Sequence, residues 1–122
     1  MTQSASQATA FYRDVAAYHK VWTLHSDKGF PTARTSSGEH AVPFWSTLSR
    51  VQLIIRNVPA YTGYEPFAVS WEDFATKWAP DLSENKLKVG VNWSGKNATG
   101  YDLEPTELVQ IVKNWIEKVG SA

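Results

Sequence analysis

The chain contains no cysteine, which excludes disulfides, thiolate metal centres and cysteine nucleophiles at once. It also has no net charge, because twelve lysines and arginines balance twelve aspartates and glutamates. The long-range field that draws proteins to nucleic acid or to anionic lipid is therefore missing, and neither partner is expected. No apolar run approaches the roughly 20 residues of a membrane span, so no membrane insertion is expected. The opening Met1-Thr2-Gln3-Ser4-Ala5 lacks the basic and apolar regions of a secretory signal. Together with the missing cysteine this favours the cytoplasm.

Histidine is scarce as well: His19, His25 and His40 are the whole set. None has the His-x-x-x-His or His-Glu-x-x-His spacing that places two ligands on one helix face, so no metal site is expected. His40 directly follows Glu39, and adjacent strand residues point to opposite faces. His25 and Asp27 share a face if their strand continues, and Ser46 or Ser94 could then complete a Ser–His–Asp set. No Gly-x-Ser-x-Gly elbow supports that assembly, and Ser46 is better explained as a helix cap and Ser94 as a turn residue. Gly95-Lys96 lacks the upstream glycine of a phosphate-binding loop, so turn chemistry accounts for Gly95 to Gly100 and no cofactor is expected. The acids Glu72/Asp73 and Glu104/Glu107 sit at predicted helix starts, where the helix dipole favours them. Lys86, Lys88 and Lys96 flank an apolar strand and read as its solvated face. Catalytic spacing is absent.

The remaining composition, 43% hydrophobic and 20% charged over 122 residues, describes one globular domain spanning residues 1–122, with residues 1–4 flexible. Phe11, Val15 and Tyr18 form an apolar stripe on a helix from Ser4 to about His19. Val21–His25, Phe30–Thr35 and Ala41–Phe44 read as strands of a meander, with Trp22 and Leu24 on the core face and Pro43 at an edge or strand end. A helix capped by Ser46 runs to about Asn57, with Leu48, Val51, Ile54 and Ile55 inward and Pro59 stopping it. Phe67-Ala68-Val69 is a brief strand. Ser70 caps a helix bearing Trp71, Phe74, Ala75 and Trp78, which Pro80 ends or bends. Leu87, Val89, Val91 and Trp93 alternate with Lys88, Gly90, Asn92 and Ser94, the clearest strand pattern. Pro105 opens a last helix with Leu108, Val109, Ile111, Val112, Trp115, Ile116 and Val119 on a wide apolar face. The predicted architecture is α+β: a mostly antiparallel sheet of about five short strands, with three to four helices packed on one face. Its other face would show Thr23, His25, Lys88, Asn92 and Ser94.

Val21-Trp22-Thr23-Leu24, Gly29, Pro43-Phe44-Trp45-Ser46, Arg50, Val89-Gly90-Val91-Asn92-Trp93 and the late Gly100 resemble an uncharacterised bacterial family, domain-of-unknown-function family 2750. The resemblance covers roughly Phe11 to Ile116, and Pro-Phe-Trp-Ser is its most specific segment. It implies a small stand-alone bacterial cytoplasmic protein and transfers no activity.

Tryptophan is the residue in excess, with six copies. Burying one removes roughly 150–250 Å² from water, so each is a strong core anchor. Trp71, Trp78 and Trp115 lie on helical apolar stripes, and Trp22 alternates toward the core. Trp45 and Trp93 each end a strand beside polar neighbours, where they either pack the core edge or face a partner. Two functions follow. The first is a non-enzymatic protein-interaction module, immunity- or adaptor-like, presenting Trp45 and Trp93 with Tyr61 and Tyr64 from the neighbouring loop. The alternative is a small-ligand-binding domain or weak hydrolase with a pocket near His25, Trp45, Ser46, Arg50 and Trp93. Asn92 belongs to the same candidate site.

Overall fold

A computed structural model describes residues 3–35, 37–95 and 98–120. The chain begins with helix α1, Gln3–Tyr18, so residues 3 and 4 are helical, and residues 1 and 2 of the predicted flexible start lie outside the described residues. Ala8, Phe11 and Val15 are fully buried along one stripe, whereas Tyr18 is exposed. Tyr18 leaves the stripe because the helix stops there: His19 turns left-handed at φ 55°, and its amide closes the last turn on the Val15 carbonyl.

Strand β1, Lys20–His25, pairs antiparallel with β4, Glu65–Ser70, from Lys20 opposite Ser70 to His25 opposite Glu65. A second sheet has the order β2-β3-β5-β6, made of Ala33–Arg34, His40–Phe44, Lys88–Val91 and Asp102–Leu103. The pairings in it are antiparallel except between β3 and β5, which run parallel. The predicted meander is therefore corrected: β1 takes β4 as its ladder partner, and it meets the end of β3 through reciprocal backbone hydrogen bonds between Trp22 and Trp45. The predicted strand Phe30–Thr35 shrinks to Ala33–Arg34, since Pro31 cannot donate to a ladder. Pro43 is interior by strand order rather than at an edge. Its missing N–H is harmless because the β2 ladder reaches only Ala41, and its carbonyl accepts from the Thr23 hydroxyl at 2.8 Å.

The architecture is α+β, as predicted, with a mixed sheet. Side chains of adjacent strand residues point to opposite faces, and both faces are covered. Val42, Phe44, Val89 and Val91 pack with Phe11 and Val15 of α1, Phe74 and Leu82, and Leu108 and Val112 of α5, Pro105–Gly120. Ala41 and Trp45 pack instead with Val51 and Ile54 of α2, Leu48–Asn57, and with Val58 and Tyr61 around the 3₁₀ turn Pro59–Tyr61. The helices thus do not all share one face, because α2 covers the second. Thr23 and Asn92, predicted on a solvent face, are buried, Thr23 on the same face of β1 as Val21 of the first core and Asn92 bonded to Gln7 of α1, while His25, Lys88 and Ser94 are half-buried. In α2, Leu48 is exposed rather than inward.

Pro80 does not end the third helical segment. Trp71–Asp73 (α3) continues through a π turn, Phe74–Trp78, into α4, Ala79–Glu84. Proline disrupts the regular i to i−4 ladder. Here the widened turn accommodates it: the Ala79 amide bonds five residues back to Phe74, and the Thr76 hydroxyl takes the Glu72 carbonyl. Ser70 caps the segment by accepting from the Asp73 amide.

Candidate functional site

Strand β5 ends at Val91 although the apolar alternation continues, because Asn92 turns left-handed at φ 49°. Asparagine tolerates that region better than most residues, since its short amide bonds locally. Here the amide is fully buried and fully used. Its Oδ1 accepts from the Ser46 amide at 2.9 Å, and its Nδ2 donates to the Gln7 carbonyl at 3.2 Å and to Ser46 Oγ at 3.0 Å. The Ser46 hydroxyl in turn donates to Asp14 Oδ2 at 2.8 Å. Ser46 is therefore not the helix cap; Thr47 caps α2 one residue later, accepting from the Arg50 amide. Three distant segments, α1, the end of β3 and the end of β5, are locked together by this network.

The left-handed turn aims the next residue, Trp93, back under the sheet. Its indole lies against the faces of Gly90 and Gly100: a Cβ at Gly90 would stand 2.3 Å from Trp93 Cε2, and one at Gly100 2.9 Å from Cδ1. The Trp93 Nε1 donates to the Tyr101 carbonyl at 2.8 Å. The Trp45 Nε1 donates to the Trp93 carbonyl, also at 2.8 Å. Both indoles are buried, 1% and 4% exposed. Neither presents a face to a macromolecular partner, so the partner-facing expectation for this pair is corrected.

Buried is not the same as inaccessible to a small molecule. Trp45 and Trp93 line a cavity of about 400 Å³, whose other walls are Gln7, Ser94, Gly95 and one face of α2: Arg50, Leu53, Ile54 and Asn57. Those four residues fall at i, i+3, i+4 and i+7, so a single helical stripe builds one wall. Of the larger hollows this is the most enclosed. Leu53, about half exposed, stands at its edge. Among the described residues Arg50 is the one charged side chain in the lining; its Nη1 donates to Gln7 Oε1. Among the described residues Arg50 forms no ion pair.

The structure thus brings Trp45, Arg50 and Trp93 together, with Asn92 and Ser46 directly behind them, and leaves three candidates elsewhere. His25 packs its ring against Phe30 at 4.9 Å and Phe67 at 5.6 Å. With Ser46 held by Asp14 and Asn92, no Ser–His–Asp set forms from Ser46, His25 and Asp27. Tyr61 is buried in the second core and contacts Tyr64 edge-on at 5.8 Å, so it does not extend an exposed surface. Burial, and then the neighbouring Tyr64, raise the Tyr61 pKa above the usual tyrosine value. Tyr64 lines a separate shallow hollow with Gln52, Ile55, Arg56 and Pro66. Ser94, read from sequence as a turn residue, bridges to Thr99 and also lines the cavity. Gln7, Leu53 and Asn57 are site residues that sequence reasoning missed. The stripe spacing from Arg50 signals Leu53 and Asn57; nothing local signals Gln7, which arrives from another helix.

Among the described residues no cluster of three His, Asp or Glu side chains could hold a metal, and no helix is long and apolar enough to cross a membrane. Of the basic group, Lys88 is taken up by Glu104 at 3.4 Å and Glu39 at 3.6 Å. The hydrogen bond to Glu104 leads the causes that raise its pKa. Lys96 lies outside the described residues.

The fold and cavity define a small α+β domain with a tryptophan-floored pocket between the ends of two central strands and a helix. Residues 8–111 match the model of the family described as "Protein of unknown function (DUF2750)", and the chain belongs to that family. No curated protein matches it.

Proposed function

We propose that this chain is a small-ligand-binding domain whose site is the Trp45–Trp93 cavity. The observation that carries the proposal is the cavity itself: about 400 Å³, floored by two hydrogen-bonded indoles, walled by Leu53 and Ile54, with a few convergent polar groups from Gln7, Arg50 and Asn57. Pockets for small molecules have this composition, a mostly apolar lining with a small number of placed polar groups. A location in the cytoplasm of a bacterial cell belongs to the same proposal. The test is a ligand-observed NMR screen of a fragment library on the native chain and on Leu53→Trp, which fills the cavity mouth from a half-exposed position. Binders that lose their signal in Leu53→Trp support the proposal. Finding no binders, or only binders indifferent to residue 53, overturns it.

A protein-interaction role, immunity- or adaptor-like, is favoured by a different surface from the one the sequence suggested. Phe30 and Phe67 are each nearly 40% exposed. They meet edge-on at 5.1 Å and join His25 and Trp78 in one aromatic patch. A partner captured by the native chain and lost with Phe30→Ser/Phe67→Ser supports this role; a partner retained by that variant counts against it.

A further inference from the structure

The cavity has an electrostatic asymmetry that narrows what it takes. Among the described residues, every polar lining residue other than Arg50 is neutral: Gln7, Asn57 and Ser94. Arg50 is half-buried, spends one donor on the neutral Gln7 amide oxygen, and has no carboxylate partner among the described residues. A guanidinium carries five donors in a planar fork that matches a carboxylate with two parallel hydrogen bonds. A cation drawn partly out of water beside Trp45, Trp93, Leu53 and Ile54 is incompletely compensated until an anion joins it. Asp14, the acid joined to Ser46 behind the cavity, is already engaged, accepting from Ser46 and Arg13.

Resting on the pocket assignment above, we infer that the site selects a small monocarboxylate with an apolar or aromatic body. The body lies against Trp45, Trp93 and Ile54, and the carboxylate pairs with Arg50. A single negative charge is called for because the described lining residues supply a single positive one; a phosphate dianion would bring a charge that none of the described lining residues balances. Leu53 has a role in the same picture. An exposed leucine at the cavity edge closes over an apolar ligand and regains the contacts it lacks in the empty site.

The test is a calorimetric titration with three matched probes: 3-phenylpropionate, 3-phenylpropionamide and 3-phenylpropyl phosphate. The native chain is expected to bind the carboxylate at least about tenfold more tightly than the amide, as a charge-assisted pair gives, and more tightly than the phosphate. Arg50→Gln is expected to erase the carboxylate-over-amide preference, and Arg50→Lys to keep part of it with a steeper salt dependence. Thermal unfolding of both variants checks that they fold, and the lysine variant keeps the cation if the glutamine variant does not. Equal binding of carboxylate and amide, a preference that survives Arg50→Gln, or tighter binding of the phosphate overturns the monocarboxylate inference while leaving the pocket assignment standing. No binding of any probe to the native chain removes both.

Discussion

The indole of Trp45 donates to the main-chain carbonyl of Trp93, 2.8 Å away and 48 residues along the chain. These two residues follow β3 and β5, strands that run in parallel, so the bond continues their pairing past the end of the ladder. The Trp93 indole hands the chain of bonds on to the Tyr101 carbonyl. The cavity floor is therefore tied into the sheet it extends, and a preformed floor spares a ligand part of the ordering cost of binding.

Trp45→Phe keeps an aromatic ring but removes the donor, leaving the buried Trp93 carbonyl unpaired and a small void. We expect a loss of about 2–4 kcal/mol in stability, read as a lower urea midpoint at unchanged slope. A loss under about 1 kcal/mol would show that the bond contributes little to holding the floor.

Gly90 has an ordinary backbone conformation, so Gly90→Ala tests space alone. The added Cβ would stand within 2.8 Å of Cε2, Cζ2 and Nε1, on the fused side of the Trp93 indole, and overpacking of this kind costs about 1–3 kcal/mol or more. Phenylalanine at position 93 lacks that part of the ring. Gly90→Ala should accordingly be less damaging in a Trp93→Phe background, with a coupling of about 1 kcal/mol or more. Additive effects would contradict the packing described.

How much of this was legible in the sequence depended on whether a signal was local. The Pro-Phe-Trp-Ser and Asn-Trp segments marked the right place, and helix positions followed from periodicity and from Ser70, Pro59 and Pro105. Burial of Thr23 and Asn92 was not legible, because alternation along one strand does not report that other elements pack against both of its faces. The role of Ser46 was misread for a related reason: its partners Asp14 and Asn92 lie 32 and 46 residues away, and a local rule assigns a serine before a helix to the cap. The tryptophan-lined cavity needed four segments to converge, and only its α2 stripe has a spacing that can be read.

Asn92→Ala should be costly twice over, by placing a Cβ residue without local amide bonding at positive φ and by stripping partners from the Ser46 amide and the Gln7 carbonyl. A loss of about 2–4 kcal/mol is expected. Asn92→Gly restores the backbone freedom and should recover part of the loss but not all of it. Full recovery would mean that the amide network is unimportant.

Tyr12 and Tyr61 both have pKa values raised chiefly by burial. A raised folded-state pKa means that the folded chain holds its proton more tightly, so stability is intact below the ordinary tyrosine pKa of about 10 and declines as pH rises through the folded value. Urea titrations from pH 8 to pH 11 should show this decline, and Tyr61→Phe should flatten it. An unchanged slope in that variant would contradict the assignment to Tyr61.

The most direct test of the central claim follows the indole N–H resonances in a ¹H–¹⁵N NMR titration with 3-phenylpropionate. The Trp45 and Trp93 signals, assigned through Trp45→Phe and Trp93→Phe, are predicted to shift together and saturably, while those of Trp71, Trp78 and Trp115 stay in place. Shifts centred on Trp78, or none at Trp45 and Trp93, would contradict a ligand site at this pair.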